Sequence, residues 1–184
     1  MKPEALPVLA PLDAASMPAI HKTLHLIPDT NVFMQCRHLH ELPWRTAFPE
    51  WEAIIVVLVA PVIREIDRQK GGQGRLAKRA RTANSLIGRL IDSPDVELSG
   101  EGERPTVTLV AMPELRPDPS LQDDLDYTQT DDSIVGIVSA FFNAREGSQV
   151  TLLSNDNGPL MSARRANVPF YRVPSDWLLP AEGD

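Results

Sequence analysis

Four acidic residues, Asp29, Glu65, Asp131 and Asp156, lie far apart in a chain of 184 residues, and each stands where an apolar stretch gives way to a helical pattern or opens one. Asp29 closes the run His25-Leu-Ile-Pro, and Asp156 follows Val150-Thr-Leu-Leu153. Glu65 falls within the helical pattern after Ile54–Val59, and Asp131-Asp132 open another helical pattern. In an open parallel sheet, sites form at the carboxyl ends of the strands, so these acids are expected on one rim. Carboxylates gathered without a counter-charge repel one another and cost several kcal/mol, roughly, when they leave water. All-oxygen clusters of this kind suit a hard divalent cation, and Mg²⁺ or Mn²⁺ leaves positions open for a phosphate. Taken singly, each acid has an ordinary explanation: a helix cap, a surface helix residue, a turn. Only their joint placement points to chemistry.

The elements that must position them follow from periodicity. His25–Asp29 reads as a short strand, with Thr30 and Asn31 supplying capping oxygens to a helix beginning near Val32. Ile54-Ile-Val-Val-Leu-Val59 reads as a strand buried on both faces, and Pro61 suits the first turn of a helix over 62–68. A helix over 74–91 carries Leu76, Ala80, Ala83, Ile87 and Leu90 as its apolar stripe. Helices over 133–145 and 158–166, and strands at 150–153 and 170–173, complete the alternation. Alternating strands and helices predict an α/β fold, three layers deep, with a central mostly parallel sheet. Residues 1–20 read as an irregular leader, 21–176 as the domain and 177–184 as a tail. Within the domain, 92–128 is Pro-rich and acidic, and is expected as one or two strands inside a mobile connection.

With these pieces placed, the chain resembles the PIN-domain nucleases over about residues 24–174. Leu26-Ile-Pro-Asp29-Thr-Asn-Val-Phe33 resembles their first motif and Val62-Ile-Arg-Glu65-Ile-Asp67 their second. Thr130-Asp131-Asp132-Ser-Ile134 resembles the third, in the form found near RNA-decay factors, and Thr151-Leu-Leu-Ser154-Asn-Asp156 the fourth. The resemblance implies a metal-dependent ribonuclease in which Asp29, Glu65, Asp131 and Asp156 bind the metal and carry catalysis. Asp132 joins them as a metal ligand; Asp131 is preferred for the third acid because Ile134 follows three residues on. Thr30 or Asn31, and Ser154, match small polar positions that orient the acids. The products implied are a 5′-phosphate and a 3′-hydroxyl.

The net charge of −7 argues against a polyanionic partner until its distribution is read. Seven basic residues and no acid lie between Arg68 and Arg89, whereas twelve acids lie between Asp92 and Asp132. A phosphate backbone responds to the local field, so Arg68, Lys70, Arg75, Lys78, Arg79 and Arg81 are candidates for binding single-stranded RNA, with single-stranded DNA as the alternative. The rival function is a PIN-fold module that binds nucleic acid or serves as a scaffold without catalysis. A protein regulator or a homo-oligomer is compatible with either. Cys36-Arg-His38-Leu-His40 lacks the spacing and the second cluster of a zinc site. Gly71-Gly-Gln-Gly74 lacks the Lys-Ser/Thr of a phosphate loop, and no nucleophile elbow occurs. No apolar run is long enough to span a bilayer, and a single cysteine fits a reducing cytoplasm.

Overall fold

A computed structural model describes residues 22–100, 102–144 and 149–180. The leader expected at 1–20 lies outside them. Six strands, β1 (Thr23–Pro28), β2 (Ala53–Leu58), β3 (Asp95–Glu97), β4 (Thr106–Ala111), β5 (Gln149–Ser154) and β6 (Phe170–Arg172), form one sheet in the order β3-β4-β2-β1-β5-β6. Every pairing is parallel except β3 with β4. The inner strands are continuous apolar runs because both their faces are covered. Leu26, Ile27, Ile54, Val56, Leu58, Leu109 and Leu152 have no more than traces of exposed surface.

Among the described residues six α-helices flank the sheet: α1 (Thr30–Gln35), α2 (Trp44–Ala47), α3 (Ala60–Gln69), α4 (Gly74–Asp92), α5 (Thr130–Ala144) and α6 (Asn157–Arg165). From β1 the chain steps to β2 and then β4 in one direction; from β4 it crosses back to β5 and on to β6. Parallel crossovers are right-handed, so α1–α4 lie on one face and α5 and α6 on the other. Contacts agree: α1, α3 and α4 pack together, and α5 packs on α6. The result is the expected three-layer α/β/α fold. Among the described residues no helix is long and apolar enough to cross a membrane.

Three local expectations change. The segment 92–128 contributes two strands to the sheet, within the one or two expected, with β4 paired along its whole length to β2. Its remainder is fastened to α5 rather than left as a loose connection. Asp118 accepts bonds from the Ser120 amide (2.9 Å), the Ser139 hydroxyl (2.9 Å) and the Asn143 amide (3.2 Å). These donors, the Ser120 hydroxyl and amide foremost, hold its carboxyl below the usual range. Tyr127 lies against Gly136, where a Cβ would meet its ring at 2.5 Å. In α4 the buried stripe runs through Ala77, Ala80 and Ala83, while Leu76 is 57% exposed: the helix is turned so that its smallest side chains face α1 and α3. Finally, Trp177, assigned to a tail, is 1% exposed and packs edge-on against Trp44, and Leu179 N–H bonds Gln35 O at 2.8 Å.

Candidate active site

β1 and β5 are neighbours in the sheet, and the Asp29 amide bonds Leu153 O at 3.0 Å. The chain leaves β1 toward one face and β5 toward the other. A crevice opens where such connections diverge, and its two walls begin with Asp29 and Asp156.

Asp29 is the N-cap of α1, one residue earlier than the sequence pattern suggested. Its Oδ1 accepts the Val32 amide at 3.0 Å and its Oδ2 accepts the Ser154 hydroxyl. Capping and membership of the acid cluster are therefore not alternatives: one oxygen serves each. Ser154 is fully buried, and its oxygen accepts the Asp156 amide at 3.0 Å, tying the ends of β1 and β5 together. Burial pushes the Asp29 carboxyl up to about 6, against the two hydrogen bonds that favour its charge, with Asp131 and Asp156 pushing the same way as burial.

Glu65 and Asp156 have their own donors. Thr30 donates to Glu65 Oε2 at 2.7 Å, and Gln69 reaches Glu65 Oε1 at 3.4 Å from one turn along α3. Asn31 donates to Asp156 Oδ2 at 3.0 Å, its amide held in register by Gln35 at 3.3 Å. Thr30, Asn31 and Ser154 thus each hold a different acid. Asp131 lies in the first turn of α5, which begins at Thr130 rather than Ser133. Its carboxyl is raised by burial, then by Asp156, Glu65 and Asp132. Its Oδ2 lies against Gly158 at the start of α6, where a Cβ would stand 3.2 Å away.

Asp132 is a different case. Its Oδ1 accepts the Ser162 hydroxyl at 2.6 Å and its Oδ2 accepts the Asp126 amide at 2.9 Å. Neighbouring residues of a helix diverge by about 100°, so when Asp131 faces the crevice Asp132 faces α6 and the preceding loop. Both its oxygens are engaged there, as both oxygens of Asp29 and Glu65 are engaged by their own donors, and Asp132 still acts electrostatically on Asp131.

The donor set suits a hard cation: Asp131 is in electrostatic reach of Asp29, Glu65 and Asp156, with no Lys or Arg paired to these four among the described residues. The carboxylates are not drawn in around a common point, and among the described residues no three Asp, Glu, His or Cys side chains are arranged to hold an ion. Asp29, Glu65 and Asp156 instead each face a protein donor. Cys36 is buried, its thiol pushed up to about 12 chiefly by burial, and His38 and His40 stack on each other at 5.6 Å.

The basic candidates divide. Arg79 forks onto the carboxyl end of α1, donating to Phe33 O at 2.9 Å and Cys36 O at 2.5 Å, and is half-buried. Arg75 bonds Pro180 O at 3.1 Å, Arg81 bonds Lys70 O at 3.1 Å, and Lys70 pairs with Asp67 at 2.5 Å. Arg68 and Lys78 are exposed, with no side-chain partner among the described residues. Arg64, outside the basic window read from sequence, is exposed and joins Arg68 in a groove between α3 and the start of α5, lined also by Gln129 and Thr130. The signal was present: residues 64 and 68 are four apart on one helix, hence on one face.

No curated protein matches the chain in sequence. Among solved structures, it is similar to a domain of a functionally unknown protein from Methanocaldococcus jannaschii, with 11% identity, a TM-score of 0.48, and coverage of 87% of this chain and 96% of that one. The family model described as the PIN domain matches residues 26–172. That span takes in both walls of the crevice and all four acids, and the chain belongs to the PIN-domain family.

Proposed function

We propose that the protein is a metal-dependent ribonuclease of the cytoplasm that hydrolyses phosphodiester bonds of single-stranded RNA, with Asp29, Glu65, Asp131 and Asp156 holding Mg²⁺ or Mn²⁺. One observation carries the reading: three small donors, Thr30, Asn31 and Ser154, hold three acids from different elements, and among the described residues no basic side chain pairs with those acids. A purely structural cluster would be expected to recruit Arg or Lys, since unpaired buried carboxylates destabilise a fold. The cation would supply Lewis acidity toward the phosphate oxygens and water at neutral pH. Asp29 and Asp156 hold the crevice walls apart, Glu65 and Asp131 close its sides, and Arg64 and Arg68 flank it for the strand's phosphates.

The rival, a PIN-fold binding or scaffold module, draws on the separation of the carboxylates. Activity decides between them. Purified protein is incubated with end-labelled single-stranded RNA in EDTA, then with Mg²⁺ or Mn²⁺, beside Asp29→Asn and Asp156→Asn. The expected result is cleavage only with metal, products bearing 5′-phosphates, and no turnover in either variant. Cleavage in chelator, or by both variants at the parent rate, overturns the proposal; binding without cleavage under every metal condition establishes the rival.

A further inference from the structure

Behind α1, on the face of the sheet that carries α4, the turn after α1 and the last three turns of α4 enclose a cavity of about 360 Å³ that has no part in the acid cluster. α1 is six residues long, so its two ends are about 9 Å apart; the acids stand at its amino end and the cavity at its carboxyl end. The floor is apolar, formed by Phe33, Leu86 and Leu98. The rim is cationic: Arg37, Arg79 and Arg89 face one carboxylate, Glu97. Arg79 is committed to the α1 carbonyls. Arg37 and Arg89 are not committed. Neither side chain has a hydrogen bond or ion pair among the described residues, and Arg37 Nε is buried without an acceptor. Guanidinium donors that no protein acceptor uses are available to an anion entering the cavity. Planar guanidinium groups match phosphate oxygens better than a point charge does.

Two further features select the anion. The volume lies at the small end of ligand pockets, enough for one nucleotide and too little for a helix of paired strands. An inorganic anion would leave the apolar floor uncovered, whereas a flat base covers it. Ser85 and His40 stand at the edge, where they can meet the polar atoms of a sugar or base.

We propose that this cavity is a nucleotide pocket, in which Arg37 and Arg89 bind the phosphate and the Phe33–Leu86–Leu98 floor takes the base. The ligand chemistry, a nucleoside phosphate, has two sources: a free mononucleotide, or one unit of an RNA strand lying across the protein. The pocket does not depend on the ribonuclease reading, and its test is done in EDTA so that cleavage plays no part.

Binding of 5′-AMP, 5′-UMP and inorganic phosphate is measured by calorimetry, and of a fluorescent single-stranded RNA by anisotropy, for the parent, R37Q and R89Q. Arg89 is exposed, so R89Q tests the pocket even where R37Q weakens folding; thermal unfolding without ligand reports that weakening. The expected result is saturable mononucleotide binding that R89Q weakens about tenfold, the size of one charge-assisted contact, and phosphate binding much weaker than either nucleotide. A free effector leaves RNA affinity unchanged in R89Q; a strand unit makes RNA affinity fall with it and lets mononucleotide compete with RNA. The proposal is overturned if no mononucleotide binds and R89Q leaves RNA affinity within twofold of the parent, or if inorganic phosphate binds as tightly as the nucleotides.

Discussion

Replacing Asp29 by Asn should make the protein more stable when no divalent ion is present, and only above a definite pH. The Asp29 carboxyl is 2% exposed and raised from 3.8 to about 6, by burial first and then by Asp131 and Asp156. A shift of about two units corresponds to about 3 kcal/mol of destabilisation once the group is fully ionised. Asn keeps an oxygen for the Val32 amide, so the N-cap survives, and the Ser154 hydroxyl can accept from the new amide. Losing a negative charge at the head of α1 removes roughly 0.3–1 kcal/mol. The net gain for Asp29→Asn is therefore about 2 kcal/mol near neutral pH.

The sign of the pH dependence follows from proton binding. Between about pH 4 and pH 6 the folded chain holds more protons at Asp29 than the unfolded chain does, so parent stability falls as pH rises through this window and levels off above it. Asn does not titrate. Urea denaturation in EDTA from about pH 4 to pH 8 should show the variant and the parent together at the acid end and diverging toward neutrality. Saturating Mg²⁺ should then close the gap, because a cation that binds the folded parent stabilises it and the variant binds it less well. Parallel profiles for the two proteins would refute the placement of a buried, uncompensated carboxylate at residue 29.

The remaining expectations bear on neighbouring parts of the structure. Arg79→Gln should destabilise the fold by about 2 kcal/mol in urea, since it removes a charged fork from the α1 carbonyls, and should leave the salt dependence of RNA affinity unchanged; a flattened salt slope at parent stability would show that Arg79 touches the strand. Gly136→Ala should cost about 1–3 kcal/mol, because its Cβ would meet the Tyr127 ring at 2.5 Å, and Tyr127→Leu in the same chain should recover part of the loss; a single variant as stable as the parent would place Tyr127 elsewhere. Gly158→Ala should raise stability by up to about 1 kcal/mol through helix propensity, yet raise the Mg²⁺ concentration needed for half-maximal cleavage, because its Cβ would press on Asp131 Oδ2 at 3.2 Å. An unchanged metal requirement in that variant would remove Asp131 from the metal-binding set.

Much of the site was legible because strand ends announce themselves. An apolar run that stops at a carboxylate, twice, on strands that prove to be neighbours, is a local pattern with a topological meaning: Asp29 and Asp156 needed only the parallel sheet to meet. Thr30, Asn31 and Ser154 were legible as a group, but not which acid each would hold. What stayed hidden depended on rotation and packing. Asp131 and Asp132 differ in which way they turn from a helix whose first residue no pattern fixed, and with α5 starting at Thr130 Asp132 turns to Ser162 and the Asp126 amide. Leu76 outranks Ala77 in any hydrophobic reckoning, yet α4 packs closely on α1 and α3 and so presents its alanines. Arg79 read as one cation among seven until α1 and α4 were seen to meet, and then its guanidinium became a cap for a short helix.

The same sorting explains how a chain of net charge −7 can meet a polyanion. The cations of α4 largely hold the protein together: Arg75, Arg79 and Arg81 are bonded to backbone carbonyls. Arg64 and Arg68, one turn apart on α3, line a groove whose walls hold the chain neighbours of Glu65 and Asp131. Under the proposed function, placed beside the acids rather than on them, they would draw phosphate toward the crevice without neutralising the carboxylates inside it. A phosphate that follows this field meets Asp29, Glu65, Asp131 and Asp156, which repel it. Positive flanks around a negative centre are therefore self-defeating for an anionic strand unless a cation occupies the centre. Under the proposed function, the divalent ion is first the condition on which the substrate can enter, and only then a participant in its hydrolysis.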